Sequence, residues 1–370
     1  MLIRSITLAN FRNYEKLNIS PCGGVNVFLG NNAQGKTNLL EAIYFCATGR
    51  SRRTPYDRNL IRFGEKEARV CVKVTDENGK SEDKIDVFLR KNGKKSIAVN
   101  GMAIKRLGEL FGVLYVVSFS PEDLDIVKDG PLARRRFIDL ELCQLSPVYY
   151  YDLKQYHRIL LQRNNLLKEI SKDSRGALMD SLSVWDEQLV AFGCAIMAKR
   201  AEFLTRLGGY ASKIHADITG GAEELTVSYK PDVSPERFMD KLISNRKRDI
   251  YQGQTGAGIH KDDIGFEINS IDARLFGSQG QQRTAALSAK LSEIEMIVSE
   301  KHEKPVLLLD DVFSELDTSR QEFLLDAAAD CQTMITATGA ENGLNRITNE
   351  QHFNNEETHR TFFVKNGEIS

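Results

Sequence analysis

The sequence predicts an α/β fold with mixed sheets, split by an inserted helical arm. Three observations carry that prediction. A glycine-rich loop, GNNAQGKT at residues 30–37, follows the apolar residues Val25, Val27, Phe28 and Leu29 and precedes the helical stretch NLLEAIYFCA. Period-two alternation marks strands at residues 2–8, 69–74 and 84–90. From about residue 121 to 218 that alternation stops, and apolar residues recur at three- and four-residue spacing before strands return near Glu224. The expected organisation is an N-terminal lobe at 1–120, an arm at 121–219 and a C-terminal lobe at 220–370.

Residues 2–8 (LIRSITL) read as a half-buried strand, followed by a loop, NFRNY, at 10–14. The next stretch fits G-x-x-x-x-G-K-[ST] between strand and helix, which is the context a phosphate cradle needs. Glycines let backbone N–H groups turn toward phosphate oxygens, and the following helix adds its positive end. The nucleotide-binding set is thus Gly30, Asn31, Asn32, Ala33, Gln34, Gly35, Lys36, Thr37 and Asn38. Lys36 is expected on the β- and γ-phosphates, and the Thr37 hydroxyl on Mg²⁺. A basic connector, GRSRRTPYDR, follows at 49–58. Asn92-Gly93 predicts a tight hairpin between 84–90 and a return strand at 97–99. The strand VLYVVSF at 113–119 leads to Ser120 and Pro121, a helix start.

In the arm, Ser146-Pro147 opens a helix whose seam is Leu153, Tyr156, Leu160, Leu167 and Ile170, with Arg163 as its one break. After a polar turn at 171–175 a second seam runs Leu182, Trp185, Leu189, Phe192, Ile196 and Phe203. Two such stripes predict either an antiparallel, coiled-coil-like hairpin or two amphipathic helices of a small bundle. Beyond the arm, strands are expected at 224–229, 264–268 and 273–276, with helices from Pro235 to about Arg246 and at 278–297. PVLLLDD at 305–311 is a continuous apolar strand ending in two carboxylates. Buried strands at 333–337 and 361–364, the latter closed by Asn366-Gly367, complete the sheet.

The chain has 370 residues, 41% hydrophobic and 27% charged, with a formal net charge of −1. That balance is ordinary for a globular protein, so a nucleic-acid surface must come from local clusters. The scattered cysteines, with no C-x-x-C pair, favour reduced core thiols over disulfides or zinc. Met1 leads directly into a strand pattern and no apolar run approaches a membrane span, so a cytoplasmic protein without membrane contact is expected.

Asp310, at the end of the apolar strand, is placed to hold Mg²⁺ through water opposite Thr37. Asp311, next in line, is placed to orient or deprotonate an attacking water, which makes Asp311 and Lys36 the catalytic candidates. SQGQQR at 278–283 puts a serine and a glycine before a helix N-terminus, a second phosphate-binding corner. Its residues Ser278, Gln279, Gly280, Gln281 and Gln282 would serve a nucleotide held by another copy, whereas the plainer reading makes Ser278 a helix cap. SELD at 314–317 follows the acid pair.

In this order the phosphate loop, SxGQQR, apolar-DD and SELD resemble the ATP-binding-cassette (ABC) superfamily, and more narrowly the ATPase heads of SMC proteins. FRNY, FSPEDL at 119–124, RRRFID at 134–139, HKDD at 260–263, GSQGQQR and LLLDDVFSELD are similar to the RecF family of bacterial recombination mediators. The resemblance implies a P-loop ABC-type ATPase head that dimerises on ATP with Mg²⁺. It implies binding to duplex DNA and single-strand/duplex junctions, in gap repair with RecR and RecO and in aid of RecA loading. It also suggests that Arg12 contacts the nucleotide phosphates in cis.

Transporter cassettes carry a glutamine where FSPEDL has none, leaving Ser118, Ser120, Glu122 or water for its role. They also carry a histidine after the last core strand, where 334–338 offers only Thr336 and Thr338. With Asp311 one methylene shorter than the usual glutamate, slow hydrolysis is expected, a switch more than a motor. The alternatives are the nucleotide-binding subunit of a membrane transporter, disfavoured by the inserted arm, and a nucleotide-dependent scaffold without DNA contact. Candidate DNA contacts are Arg50, Arg52 and Arg53 after the loop helix, and Arg246, Lys247 and Arg248 before the signature. The arginines of RRRFID are expected to pair with Asp139 and Glu141.

Overall fold

Ile3 and Ile6 are both fully buried although their odd spacing would send them to opposite faces of a regular strand. A bulge between Ile3 and Ser5 in β1 (Leu2–Phe11) restores the phase, so Ile6 and Leu8 join Ile3 on the core side. The computed structural model describes residues 1–172, 176–338 and 358–370. They form two compact units, Met1–Leu124 with Glu293–Ser370, and Asp125–Ser292. Residues 220–292, assigned from sequence to the C-terminal lobe, therefore fall in the unit that contains the arm.

The first unit begins as a hairpin. β1 turns through Arg12 and Asn13 into β2 (Tyr14–Ile19), with Phe11 opposite Tyr14. The expected loop at 10–14 is thus a two-residue turn, with Arg12 at φ 54°. After β2 come β3 (Val25–Leu29) and α1 (Lys36–Thr48), which Gly49 ends in left-handed conformation. β4 (Glu67–Thr75), β5 (Glu82–Arg90), β6 (Ser96–Val99) and β7 (Met102–Ala103) extend the first hairpin into an antiparallel sheet of order β2-β1-β4-β5-β6-β7. β8 (Val116–Phe119) joins another sheet. The turn after it is 3₁₀ at Pro121–Asp125, where a helix was expected. Ser120 does not cap a helix there; its N–H and hydroxyl both donate to Asp123.

The second unit is built on α2 (Pro131–Leu145), α3 (Pro147–Ile170) and α4 (Gly176–Thr219). β9 (Leu225–Lys230), α5 (Phe238–Gln252), β10 (Asp263–Ile268) and β11 (Ile271–Asp272) follow, the strands forming a sheet of order β11-β10-β9. Residues 273–276, expected as a strand, are a short helix, α6 (Ala273–Phe276). The Asp272 carboxylate accepts from the N–H groups of Arg274 and Leu275, and that local cap outweighs strand propensity.

Most of the apolar seam read in the sequence is buried: Tyr156, Leu167 and Ile170 on α3, and Leu182, Leu189, Ile196 and Phe203 on α4, joined by Ile159, Arg163, Leu166 and Asp186. Arg163 is no break: it is completely buried, donating to Asp186 at 2.6 Å, and to Asp249 and Thr255 at 2.9 Å each. The arginines of RRRFID also take other partners than expected. Arg134 grips Asp263 with two bonds of 2.7 and 2.9 Å. Asp139 instead pairs with Arg200, which also holds Asp262 at 2.8 Å. RRRFID and HKDD thus meet as a structural ion network inside this unit.

Helix α7 (Gln279–Lys301) carries the chain back to the first unit, followed by β12 (Val306–Asp310), α8 (Thr318–Ala329), β13 (Thr333–Ala337), β14 (His359–Lys365) and β15 (Glu368–Ile369). The second sheet of this unit has the order β15-β14-β3-β13-β12-β8, parallel except at β15. Its central strands are buried almost end to end, as parallel strands covered on both faces must be. Gln332 links the two sheets: its amide accepts from Ile3 N–H at 2.6 Å and donates to the carbonyls of Ile3 and Cys22. All six cysteines are free thiols. No helix among the described residues is long and apolar enough to cross a membrane.

Candidate nucleotide site

Gly30 ends β3 where the backbone must pass close to β14. A Cβ there would lie 2.3 Å from the Val364 carbonyl oxygen. Ala33 and Gly35 take φ of 64° and 119°, the change of hand that forms a concave row of N–H groups. α1 then starts without a side-chain cap and without an acidic residue in its first turn. Its leading N–H groups and positive end are therefore available to an anion. Lys36, rooted at that start and only 4% exposed, reaches back across the loop to donate to the carbonyls of Gly30 at 2.6 Å and Asn31 at 3.3 Å. This cradle fits a polyphosphate.

Two turns hold the loop in shape. From the β1–β2 turn, Asn13 donates to the Gln34 carbonyl at 2.7 Å, and the Tyr14 hydroxyl to that of Gly35 at 3.0 Å. Asn38 closes the set by donating to Asn13 at 2.8 Å. From the β14–β15 turn, the N–H groups of Asn366 and Gly367 donate to Gln34. Asn13 and Tyr14 lie inside the FRNY motif, whose resemblance marked them but whose spacing gave no hint of their target.

The acid pair sits where β12 runs out. Asp310 Oδ1 accepts from the Thr37 hydroxyl at 2.9 Å and from Thr336 at 2.8 Å. Burial raises the carboxyl pKa of Asp310 above its ordinary value; the two hydroxyl bonds oppose that rise and neighbouring Asp311 adds to it. Asp311 adopts φ 50°, a left-handed conformation that costs roughly 1–2 kcal/mol and that Asp tolerates better than most residues. Its N–H donates to Thr336 at 2.9 Å, which ties its backbone to β13. Thr336 is therefore what β13 contributes to the acid pair. Directly after it, Ser314 of SELD donates to the Asp311 carbonyl at 2.9 Å, and Asp317 caps α8.

Glu41, on α1, was not singled out in the sequence and is buried. Arg12 holds it with two bonds of 2.8 Å, Ser51 donates to it at 2.6 Å and Arg53 lies 3.7 Å away. Arg12, expected on the phosphates, thus has its guanidinium planted on α1 beside the loop. Arg53 also donates to Asn38 at 2.9 Å. Arg52 donates to Ser118 at 2.9 Å, pairs with Asp123 and lies over the Tyr44 ring. Of the residues weighed for the absent glutamine, Ser118 accepts from Arg52, Ser120 is buried on Asp123 and Glu122 is exposed.

In the second unit, the signature forms a reciprocal capping box. Ser278 Oγ accepts from Gln281 N–H at 3.2 Å, and Gln281 Oε1 accepts from Ser278 N–H at 2.9 Å. Gln281 and Gln282 are tied further, to Glu223 and to the Ala273 carbonyl. Ser278 and Gln279 are exposed. Arg246 is bound to Asp186 at 2.8 Å, whereas Arg50, Lys247 and Arg248 are exposed.

Residues 2–360 match the family model of the RecF/RecN/SMC N terminal domain. The chain is 50% identical over 339 residues to the DNA replication and repair protein RecF of Agathobacter rectalis, covering 92% of each chain. It is 44% identical over 369 residues to RecF of Lachnoclostridium phytofermentans, covering 100% of this chain and 99% of that one. Among solved structures it is similar to the recombination mediator protein RecF-ATP in the RecFOR pathway, with a TM-score of 0.89 and 35% identity over 100% of this chain and 97% of that one. A TM-score of 0.57 at 16% identity to an Smc head domain from Pyrococcus furiosus shows the fold alone. The fold is that of an SMC/ABC-type ATPase head carrying a long helical insertion.

Proposed function

The chain belongs to the RecF family within the RecF/RecN/SMC N-terminal domains, and from that membership we propose that it is a nucleotide-gated recombination mediator. In this reading ATP with Mg²⁺ joins two copies, and the dimer binds duplex DNA near single-strand gaps. It then aids RecA loading together with RecR and RecO in the cytoplasm. Hydrolysis is slow and serves to release the dimer.

One observation carries the proposal: Thr37 and Asp310 share a hydrogen bond across 273 residues of chain, beside the Lys36 ammonium. The N–H groups of the loop and of α1, with Lys36, bind the phosphates. Thr37 and Asp310 would hold Mg²⁺, which supplies positive charge to the phosphate oxygens when bound. Asp311, aimed by its backbone and by Thr336, accepts the proton of the attacking water. Ser278 Oγ already accepts from its own helix, and among the described residues its hydroxyl proton has no acceptor. It can therefore donate outward to the nucleotide of a second copy while still capping α7.

The test is light scattering of the protein alone, with ADP and with ATP and Mg²⁺, repeated with duplex DNA. Dimers with ATP only, and DNA binding by those dimers, are expected. A monomer under every condition would sink the proposal.

A further inference from the structure

Where the C-terminal end of α1 meets the β5–β6 hairpin, the first unit carries an open groove of about 590 Å³ that the nucleotide site does not use. Tyr56 and Arg58 stand on one wall, and Arg90, Lys91, Lys94 and Lys95 on the other. Its lining holds five cationic side chains and a single carboxylate, Asp57. That carboxylate is consumed by Lys95, 3.0 Å away, which also donates to the Gly49 carbonyl at 2.6 Å and lies over the Phe45 ring. Lys95 thus pins the two walls together and anchors both to the negative end of the loop helix. Four cations remain facing the groove. Lys91 and Lys94 are exposed, with no ion-pair or hydrogen-bond partner for their ammonium groups among the described residues. Among the described residues Arg90 pairs only with the exposed Glu67, at 3.4 Å, an arrangement worth little in water. Arg58 lies over the Tyr56 ring.

The geometry points to a binding site for the phosphate backbone of duplex DNA. It rests on the proposed DNA binding and moves it to residues other than the runs at 50–53 and 246–248. Arg52 and Arg246 of those runs already pair with carboxylates, and Arg53 donates to Asn38 beside Glu41. The groove is open, which suits a continuous polyanion better than a small enclosed one. A single strand would need successive aromatic faces on which to stack bases. Tyr56 is the one aromatic residue lining the groove, and Arg58 already lies over its ring. With lysines and arginines and no helix to enter a groove of the DNA, contact is to phosphates and carries little sequence preference.

The experiment is a salt titration of duplex binding, with ATP and Mg²⁺, for wild type and for the double variant Lys91→Gln with Lys94→Gln. Losing two phosphate contacts per copy should lower the magnitude of the log–log salt slope by about 1.8 for each copy that touches the duplex, at about 0.9 per contact. A control pair, Lys16→Gln with Lys80→Gln, removes equally exposed lysines of the same unit and should leave the slope unchanged. ATP-driven dimerisation, read by light scattering, should be that of wild type in both. A groove variant with the wild-type slope overturns the site while leaving the DNA-binding reading intact. A wild-type protein that binds no duplex in any nucleotide state overturns both.

Discussion

Thr37 donates its hydroxyl proton to Asp310 at 2.9 Å, so the last residue of the glycine loop and the last residue of β12 are one constellation. Lys36 beside them lies on the loop's own carbonyls, where it can exchange those neutral acceptors for phosphate oxygens. Lys36→Ala should therefore weaken ATP binding roughly 10- to 100-fold, the loss of about 1.5–3 kcal/mol for a charge-assisted bond. A fluorescent-nucleotide titration giving an affinity within twofold of wild type would show that the ammonium does not touch the phosphates.

Asp311→Asn keeps Thr37, Asp310 and the bond from the backbone to Thr336, and removes only the proton acceptor. Nucleotide binding should be unchanged, turnover should fall to background and the ATP dimer should persist for hours. Wild-type turnover would hand the water to another residue, with Glu315 first to examine.

Capping and signalling can be separated at Ser278. Aspartate caps helices as well as serine does, so Ser278→Asp should melt at the wild-type temperature. Its carboxylate would, however, face the phosphates of a second copy, and ATP should no longer produce dimers in light scattering. Dimerisation equal to wild type would reduce Ser278 to a cap.

Arg163 is buried between Asp186 and Asp249, and Asp186 also holds Arg246. Arg163→Leu would leave Asp249 buried without a cation and Asp186 with Arg246 alone. A loss of about 3–5 kcal/mol in urea unfolding is expected. A change below 1 kcal/mol would mean that water reaches the cluster.

That cluster also shows where sequence patterning stops. The phosphate loop and the acid pair were legible because each is local: a few residues on one turn or one strand end fix the chemistry. The position of Arg163 was legible only as an interruption, since periodicity counts apolar residues and cannot see a charge neutralised from 23 and 86 residues away. Asn13 and Tyr14 escaped for the same reason, their partners lying 21 residues further on. At 273–276 the error was local: an aspartate cap at Asp272 was stronger than the strand propensity that followed it. Glu41 reads as an ordinary polar position on a helix until three side chains from outside α1 converge on it.

His260, in HKDD, gives the second unit a pH dependence whose sign is fixed by geometry. Its Nε2 faces the Thr255 carbonyl at 3.1 Å, which can only accept, so Nε2 carries the proton and Nδ1 accepts from the Tyr156 hydroxyl at 2.9 Å. Burial pushes the imidazole pKa down from 6.5 to about 4, the bond to Thr255 opposing that fall only in part. In the unfolded chain the same imidazole titrates near 6.5. Between those values the unfolded state binds a proton that the folded state does not, so stability falls as pH drops. The contribution is complete above pH 6.5 and is lost by about pH 4, a change on the order of 3 kcal/mol. His260→Gln removes the titration, and urea unfolding between pH 6.5 and 4.5 should show a shallower loss of stability than wild type. Carboxylates titrate in both proteins, so the difference between the two slopes reports His260 alone. Parallel slopes would mean that the imidazole is hydrated and protonates in the folded protein as it does in the unfolded chain.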